Sequence, residues 1–234
     1  MTNKSVILLS GGLDSAVSLA KCVDFYNIDL ALFFDYGQKS FIQEKKAVQK
    51  LTEYYGVKLE IIDLPWLKNI TKTALVNDSI EIPSIAEEQL DNFEKADISA
   101  LKVWVPNRNG VFINIAAAYC DSYDFNKIII GANKEEGVTF PDNSSEFIKR
   151  SNMALEFSTE IKPGVIAPLI NLDKYEIVEL GKSLNLPFEF IRSCYSNLDY
   201  HCGKCESCKR LRRGLERANL FDIVNLIFGN KEKV

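Results

Sequence analysis

Histidine is almost absent from this sequence: one residue, His201, occurs among 234. Hydrolases built on a Ser-His-Asp or Cys-His pair need a histidine that is free to act as a general base. His201 stands directly before a cysteine in a cysteine-rich stretch, and there is no second histidine, so these hydrolase classes are excluded. We expect His201 to be an exposed neighbour of that stretch.

Long apolar runs are absent too, although hydrophobic residues make up 47% of the chain. No stretch approaches the ~18 unbroken apolar residues that a membrane-spanning helix needs, and the apolar run after Lys4 is too short for a secretory signal. We therefore expect a cytoplasmic protein with no membrane partner. The net charge of −4 gives no overall electrostatic basis for nucleic-acid binding, so no nucleic-acid partner is expected.

Short runs of β-forming residues alternate with helical patterns along most of the chain. The predicted strands are residues 6–9, 30–34, 58–63, 127–130 and 165–170. The predicted helices are residues 14–26, 39–55, 111–123, 146–157 and 174–184, and Asp173 is expected to cap the last of them. The strands read as continuous apolar runs, which indicates burial on both faces. We predict an α/β fold with a doubly wound, mostly parallel sheet.

The alternation is interrupted twice. Residues 71–103 are acidic and have no clear period, which is typical of a mobile lid, a partner surface or a solvated insertion. After Pro187 the strand–helix order stops, and a cysteine-rich tail with a final helix follows. We predict one α/β domain over residues 1–187, which includes the insertion, and a small tail over residues 188–234.

The stretch SGGLDS, residues 10–15, lies between the first predicted strand and the first predicted helix. Glycines there let an anion approach the backbone N–H groups at the positive end of the helix dipole. Ser10 and Ser15 add hydroxyl donors, and Asp14 can stabilise the first turn or hold a Mg²⁺ that bridges phosphate oxygens. The alternative is an ordinary strand–helix turn.

The loop is neither a Walker loop, since Gly-Lys-Ser/Thr is missing, nor a dinucleotide loop, since GxGxxG is missing. The order Ser-Gly-Gly-x-Asp-Ser directly after a first strand resembles the pyrophosphate loop of the adenylating ATPases, the PP-loop family. That resemblance implies binding of the β and γ phosphates of ATP while a nucleophile attacks the α-phosphorus, which gives an AMP ester and pyrophosphate.

Four of the six cysteines crowd near the C-terminus: Cys194, Cys202, Cys205 and Cys208. In a reducing cytosol such crowding indicates a metal rather than disulfides. Four thiolates suit the tetrahedral preference of Zn²⁺ in closed structural sites, so we expect one structural zinc ion per chain. An iron–sulfur cluster also takes four thiolates and is the alternative.

Two further features have plainer interpretations. Cys22 and Cys120 lie in apolar helical patterns and are predicted to be small buried side chains. The basic run at residues 209–213 is predicted to be a solvated helix face rather than a nucleic-acid surface, because the whole chain is acidic.

These motifs and several others, in the same order, resemble the 7-cyano-7-deazaguanine synthases, the QueC family, nearly end to end. The matching stretches are SGGLDS at 10–15, FDYGQ at 34–38, VPNRN at 105–109, PLI at 168–170, KYEIV at 174–178, SCY at 193–195 and CGKCESC at 202–208. The resemblance implies an adenine nucleotide alpha hydrolase-like fold and a homodimer. It also implies an ATP-dependent ligase of queuosine biosynthesis. Such an enzyme adenylates the carboxylate of 7-carboxy-7-deazaguanine and uses ammonia to form the nitrile by way of the amide.

The resemblance assigns roles to individual residues. Asp14 and Arg108 are the catalytic candidates, and the planar guanidinium of Arg108 matches a carboxylate or the α-phosphate. The expected ATP-binding residues are Leu9, Ser10, Gly11, Gly12, Leu13, Asp14, Ser15, Asp35 and Gln38. The expected substrate-binding residues are Asn107, Arg108, Asn109, Asn133, Glu136, Asp142 and Glu146. Mg²⁺ is expected with ATP, and the four clustered cysteines are the expected zinc ligands.

One stretch departs from the family pattern, at residues 131–147, which read GANKEEGVTFPDNSSEF. Glu136, Thr139, Phe140, Asn143 and Ser144 stand where the family has Asp, Gly, Tyr, Cys and Arg. Because the family holds its substrate there, a second function stays open. It is a relative that stops at an amide, or that transfers the acyl group to another amine, such as the N-terminus of a protein received by the acidic insertion.

Two alternatives of other classes remain. A tRNA-modifying PP-loop enzyme such as a thiolase normally needs a reactive cysteine outside the zinc set, and Cys22 and Cys120 lie in apolar helices. A zinc module that binds a partner without catalysis is the other, and a lack of ATP turnover would favour it.

Overall fold

Strands and helices alternate through the computed structural model, which describes residues 4–90 and 101–229. The strands are β1 (Lys4–Leu8), β2 (Asn27–Asp35), β3 (Lys58–Asp63), β4 (Lys127–Ile129) and β5 (Gly164–Ile166). The helices in these residues are α1 (Leu13–Cys22), α2 (Phe41–Tyr55), α3 (Pro65–Ile70), α4 (Arg108–Tyr123), α5 (Lys134–Thr139), α6 (Ser145–Ser158), α7 (Lys174–Ser183), α8 (Glu206–Arg217) and α9 (Phe221–Phe228). Short 3₁₀ turns lie at Glu87–Gln89, Pro141–Asn143 and Phe188–Phe190.

The strands form one parallel sheet in the order β3-β2-β1-β4-β5. In the central strand, Ile7 pairs with Ala31 of β2 on one side and with Ile129 of β4 on the other. Val6 and Ile7 are both fully buried, because helices cover both faces of this strand. The doubly wound parallel sheet predicted from the sequence is confirmed.

The observed elements differ from the predicted ones mainly at their ends. The strand predicted at 165–170 stops at Ile166, because the Ile170 N–H donates to the Ala167 carbonyl at 3.2 Å in a turn. Helices α3 and α5 were not predicted, since six residues each are too few to show a period. Asp173 caps α7 as predicted, in a capping box with Glu176.

The buried core continues into the cysteine tail. Leu211 and Leu215 of α8 and Phe228 of α9 belong to the same cluster of buried apolar side chains as Ile7 of β1 and Val17 of α1. This cluster of buried side chains therefore extends across residue 187, where the sequence predicts the start of the tail. Burial of this shared face ties the tail to the sheet and places the cysteines near the edge where β1 ends.

Of the insertion predicted at 71–103, the structure describes residues 71–90 and 101–103. Its N-terminal flank is anchored, since Ala74 is fully buried and Leu90 is 2% exposed. Glu81, Glu87 and Glu88 are exposed, as expected for a solvated surface. The remaining acidic positions of the predicted insertion, at 91, 94 and 97, lie outside the described residues. No described helix is both long and apolar enough to cross a membrane.

Candidate active site

The carboxyl end of β1 is the switch point of the sheet, because β2 lies on one side of β1 and β4 on the other. Ligands of open parallel sheets bind in the crevice at such a point. The loop of residues 9–12, between β1 and α1, lies at this edge. It forms one wall of a cleft of about 240 Å³.

Two glycines are required by the geometry around this loop. Gly11 has a φ of +78°, and a Cβ there would come within 2.9 Å of the Ala47 Cβ on α2. Gly131 follows β4, and a Cβ there would stand 2.7 Å from the backbone nitrogen of Ser15. The loop after β4 is thus pressed directly against the first turn of α1.

Hydroxyl groups hold the loop in shape. The Ser10 N–H donates to Ser15 Oγ at 3.2 Å, and the Ser15 hydroxyl donates to the Gly12 carbonyl at 3.1 Å. The Gly12 N–H donates to Ser10 Oγ at 3.3 Å. Helix α1 begins at Leu13 with no side-chain cap from its own N-cap residue. Its first turn, which lines the cleft, is therefore a ready anion site.

Asp14 pairs with a largely buried lysine on the helix that follows the edge strand β5. The Nζ of Lys174, the first residue of α7, donates to Asp14 Oδ2 at 2.6 Å and to Glu136 Oε1 at 2.8 Å. Burial raises the pKa of Asp14 to about 6, against the attraction of Lys174. Burial alone would lower the pKa of Lys174, but the charges of Asp14 and Glu136 outweigh it and raise that pKa. Lys174 therefore stays charged.

A second ion-pair network lies beside the first. Arg210 of α8 pairs with Glu135 Oε2 at 2.7 Å and with Glu206 Oε1 at 2.9 Å, and donates to the Leu90 carbonyl at 2.9 Å. Glu135 Oε1 also accepts a hydrogen bond from the backbone N–H of Lys174 at 2.8 Å. Arg210, in the basic run at 209–213, is thus not on the solvated face predicted from the sequence. The prediction was wrong for Arg210 because α8 turns it toward Glu135 of α5 and pairs it with Glu206, one turn earlier on α8.

Helix α4 forms the opposite wall of the cleft. Arg108 donates from Nη1 to the Tyr36 hydroxyl at 3.3 Å. Asn109 donates its N–H to Asp142 Oδ2 at 3.2 Å and its Nδ2 to the Asp142 carbonyl at 3.0 Å. Burial would lower the pKa of Arg108, but Tyr36 and Asp142 outweigh it and raise that pKa. Burial raises the pKa of Asp142, although Arg108 opposes this.

Most of the predicted site residues line this cleft. Those that line it are Leu9, Ser10, Gly12, Leu13, Asp14, Ser15, Gln38, Arg108, Asn109, Glu136 and Asp142. Those that do not line it are Gly11, Asp35, Asn107, Asn133 and Glu146. Asp35 accepts from the Gly37 N–H at 2.9 Å, and Asn133 accepts from the first turn of α5 as its N-cap. The Glu146 side chain is 57% exposed and pairs with Arg150.

Other cleft residues were not singled out as site residues by the sequence. They are Tyr36, Trp104, Phe140, Lys174, Arg192, Ser193 and Tyr195, among others. Most of them belong to stretches that match the family or flank such stretches, which was the signal available. The Trp104 and Phe140 rings stack with centroids 5.9 Å apart, and give the cleft a flat aromatic wall.

The four clustered cysteines come together as predicted. Their sulfur atoms all lie within 4.8 Å of one another. A tetrahedral ion with bonds of about 2.3 Å to sulfur needs sulfur atoms ~3.8 Å apart, so the four sulfurs fit one ion. The backbone N–H groups of Ser196 and Cys202 donate to Cys194 Sγ at 3.4 and 3.3 Å, as suits a thiolate.

His201 is buried at 5% exposure, so the expectation of an exposed neighbour was wrong. Its ring lies against Phe228, with centroids 5.1 Å apart. The Ser193 N–H donates to Nε2 at 3.1 Å, and Nδ1 lies 3.2 Å from the Ile227 carbonyl. Burial lowers the pKa of His201 to about 4, so the ring is neutral. Helix α9, which the sequence pattern did not resolve from α8, supplies the pocket.

The two isolated cysteines are buried as predicted. Burial raises the pKa of the Cys22 thiol to about 11 and that of Cys120 to about 12. Both are therefore protonated at neutral pH and poorly suited to nucleophilic chemistry. This argues against the thiolase alternative.

Fold and site together define a class: an ATP-using enzyme of the PP-loop type, with a glycine loop at the switch point of a parallel sheet and a cysteine cluster beside it. The particular family follows from comparison with known proteins. The family model for "Queuosine biosynthesis protein QueC" matches residues 4–219, and the chain belongs to this family.

Several curated relatives cover almost the whole chain. A protein from Pelotomaculum thermopropionicum named 7-cyano-7-deazaguanine synthase is 48% identical over 217 residues, which cover 93% of this chain and 98% of the relative. One of the same name from Carboxydothermus hydrogenoformans is 49% identical, over 90% of this chain and 97% of the relative. Among solved structures, NMN synthetase from Francisella tularensis overlaps with a TM-score of 0.49 at 17% identity, over 99% of this chain and 86% of that one, which is too distant to bear on function.

Proposed function

We propose that this chain converts 7-carboxy-7-deazaguanine into 7-cyano-7-deazaguanine with ATP and ammonia. A carboxylate oxygen attacks the α-phosphorus, pyrophosphate leaves, and an acyl adenylate forms. Ammonia adds to the acyl carbon and AMP leaves with the oxygen, which gives the amide. The amide oxygen then attacks the α-phosphorus of a second ATP, and pyrophosphate leaves. AMP departs with that oxygen and the nitrogen loses both of its protons, which leaves the nitrile.

The observation that carries this proposal is a single cleft with an anion-binding loop on one wall and Arg108 on the other. A carboxylate is a poor electrophile, and adenylation supplies a good leaving group, so the protein mainly has to position two anions and neutralise their charge. The first turn of α1 binds the phosphate tail, and Arg108 binds the substrate carboxylate or the α-phosphate. Neither task requires a covalent bond to the protein.

Asp14 and Lys174 share the phosphate end of the cleft. Lys174 supplies a fixed positive charge beside the loop. Asp14 Oδ1 is buried and has no hydrogen-bond partner among residues 4–90 and 101–229, so one carboxylate oxygen remains available to a cation. A free carboxylate oxygen is a ligand that suits Mg²⁺, so Asp14 would hold the metal, which would supply positive charge to offset the charge that develops on pyrophosphate. Glu136 keeps Lys174 in place beside it.

The substrate end of the cleft offers acceptors and a flat wall. A deazaguanine ring presents N–H donors along one edge, which carboxylate oxygens accept. Asp142 is 7% exposed and is oriented by Asn109, so its position is set before substrate binds. The stacked Trp104 and Phe140 rings match the planar shape of a bicyclic base.

The test is a product assay. Purified protein is given the deazaguanine acid, ATP, Mg²⁺ and ¹⁵N-ammonium, and products are weighed by mass spectrometry. We expect ¹⁵N-labelled nitrile, with two AMP and two pyrophosphate released per nitrile. A lack of acid-dependent pyrophosphate release would reject the proposal.

A second candidate function is favoured by where the substituted residues lie. Of the five positions that depart from the family pattern, Glu136, Phe140 and Asn143 line the cleft. Substitutions there can change the amine or halt the reaction after the first adenylation. The same assay separates the two functions, since an enzyme of the second kind accumulates the amide, or labels an added peptide amine, and forms no nitrile.

The cysteine cluster is proposed to hold one structural Zn²⁺ through Cys194, Cys202, Cys205 and Cys208. All four positions of a tetrahedral ion are then filled by protein, which leaves none for water or substrate. A four-iron cluster binds each thiolate to a different iron and so needs the sulfurs farther apart than in this compact set. Elemental analysis and the visible spectrum test the choice: one zinc per chain and a colourless protein support it, and iron with brown colour rejects it.

The remaining proposals concern assembly and location. The family resemblance favours a cytoplasmic homodimer, and the exposed acidic residues of the insertion favour a basic rather than an acidic protein partner, if the amine donor is a protein. Light scattering of the purified chain tests the dimer, and a monomer at micromolar concentration would reject it. The acidic net charge favours no tRNA binding, which a band shift at moderate salt tests.

A further inference from the structure

Ser193, in the loop that leads into the cysteine cluster, contacts the first turn of α1, which follows the glycine loop of residues 9–12 near the other end of the chain. Its Oγ accepts a hydrogen bond from the Leu13 N–H at 3.2 Å, across 180 residues of sequence. The neighbouring Arg192 N–H donates to the Gly11 carbonyl at 2.7 Å. The tail therefore completes the wall of the cleft where phosphates are expected, and Ser193 itself lines that cleft.

The hydroxyl proton of Ser193 is available to a ligand. A serine hydroxyl carries one proton and two acceptor lone pairs. The Leu13 N–H occupies one lone pair of Ser193, and no acceptor for its proton is found among residues 4–90 and 101–229. A free hydroxyl proton at the N-terminus of α1, in a cleft wall, is placed to donate to a phosphate oxygen.

Arg192 gives an independent sign that an anion belongs here. It is 5% exposed, lines the same cleft, and its Nη2 donates to the Ser196 and Leu198 carbonyls at 2.7 Å each. Its Nε, however, is buried and has no partner in the described chain. A buried donor without an acceptor is costly, and Arg192 lines the same cleft as Ser193, so its positive charge favours an anion there.

His201 determines where Ser193 stands. Because the Ser193 N–H donates to His201 Nε2, that nitrogen carries no proton, and Nδ1–H donates to the Ile227 carbonyl. The ring is closed in by Phe228 of α9. The chain Ile227–His201–Ser193–Leu13 therefore links the C-terminal helix to the first turn of α1.

We infer that the Ser193 hydroxyl binds the β or γ phosphate of ATP, and that His201 is the positioning residue that holds Ser193 in place. The inference rests on the proposed function, since it concerns the same nucleotide site. It gives the cysteine tail a part in nucleotide binding beyond folding: the metal loop carries one phosphate donor into a site otherwise made by the first strand and helix.

The experiment compares the binding of three probes to the metal-loaded full chain by isothermal titration calorimetry. The probes are ATP, pyrophosphate and AMP, each with Mg²⁺, and the variants are Ser193→Ala and Ser193→Thr. We expect Ser193→Ala to weaken the affinity for ATP and for pyrophosphate by about tenfold, as for loss of one hydrogen bond to a charged group. The affinity for AMP should not change. Ser193→Thr keeps the hydroxyl and is expected to recover most of the affinity. Ser183→Ala, whose hydroxyl donates to the Leu180 carbonyl on the exposed end of α7, is the control.

A second pair of variants tests the positioning residue. His201→Gln keeps an acceptor for the Ser193 N–H, whereas His201→Phe fills the pocket without one. We expect His201→Phe to reproduce the loss of ATP and pyrophosphate affinity with one metal ion still bound per chain, and His201→Gln to restore affinity at least in part.

The outcomes separate this inference from the proposed function. If the unaltered protein binds neither ATP nor pyrophosphate, the proposed function fails. If it binds both and Ser193→Ala binds them equally well, the inference about Ser193 is overturned while the proposed function stands. A loss that extends equally to AMP, or that accompanies loss of metal, shows a structural role and also overturns the inference.

Discussion

The phosphate loop at residues 9–15 and the cysteine tail after residue 187 are both built to hold a charged partner, but with different parts of the chain. The loop uses backbone N–H groups, shaped by positive φ at Gly11 and by hydroxyl contacts of Ser10 and Ser15. The tail uses four side-chain sulfurs, and short chain segments between them. The loop is held between β1 and α1 and packs against α2, whereas the sulfurs repel one another as thiolates until a cation joins them.

This difference predicts two kinds of failure. Loss of a loop side chain that contacts the ligand should alter chemistry and leave the fold intact, because the sheet is stable without a ligand; a change at Gly11 acts on the shape of the loop and is the exception. Changes in the cysteines should alter the fold first and chemistry second, because the tail shares a core with α1 and touches the loop through Ser193.

Loss of a metal ligand is expected to have the largest effect. Cys205→Ser, at a position 1% exposed, should lose the metal and lower the free energy of unfolding by several kcal/mol, on the order expected for a structural ion. Tm should fall by about 2–4 °C for each kcal/mol. Thermal unfolding and metal analysis measure this. Cys22→Ser is the control, since Cys22 is equally buried without a metal; a variant Cys205→Ser that kept full activity without metal would contradict the assignment.

Removal of the Asp14 carboxylate comes next. Asp14→Ala should reduce acid-dependent pyrophosphate release by about 10²–10³-fold, because a group that stabilises transition-state charge is lost. Its Tm should stay close to that of the unaltered protein, since Lys174 keeps Glu136 as a partner. Asp14→Asn, which preserves shape without charge, should be similarly inactive. Unchanged pyrophosphate release in both variants would show that Asp14 has no catalytic part.

The shape of the loop can be tested with a pair of glycines. Gly11→Ala should lower the free energy of unfolding by about 2–5 kcal/mol, because a left-handed φ is combined with a Cβ contact of 2.9 Å to Ala47. Gly56→Ala, with φ +66 and no atom within 4 Å of a Cβ, should cost only about 1–2 kcal/mol. Urea unfolding of both variants gives the difference. Equal costs would show that the close approach to α2 is unimportant.

The smallest expected effect is that of Glu146→Ala. The Glu146–Arg150 pair is exposed, so its loss should change stability by less than about 0.5 kcal/mol. The KM for the deazaguanine acid should not change, since Glu146 does not line the cleft. Glu136→Gln is the contrast within the same family stretch, and should raise that KM because Glu136 lines the cleft and pairs with Lys174. A raised KM in Glu146→Ala would show that Glu146 contributes to substrate binding, as the sequence predicts.

Much of the fold was predictable because its signals are local. Continuous apolar runs mark strands buried on both faces, and α2 with its cap at Gly56 and α7 with its cap at Asp173 carry their own boundaries. The short helix α5 was not predictable, since six residues show no period and its N-cap, Asn133, is fully buried where it bridges to Leu169, a contact that only the fold makes. His201 was misjudged for a similar reason: its burial comes from α9 and Phe228, which are remote in sequence.

The sequence by itself determined the chemistry that is available: a glycine loop between strand and helix, four thiolates at metal spacing, and an arginine in a family motif. Local residue order suffices there, because backbone conformation and ligand type are properties of short segments. The tertiary structure decided which groups meet, as when Lys174 pairs with Asp14, Arg210 with Glu135, and Ser193 with the first turn of α1. Such pairings depend on how the sheet and the shared core bring distant segments together, and no spacing in the chain encodes them.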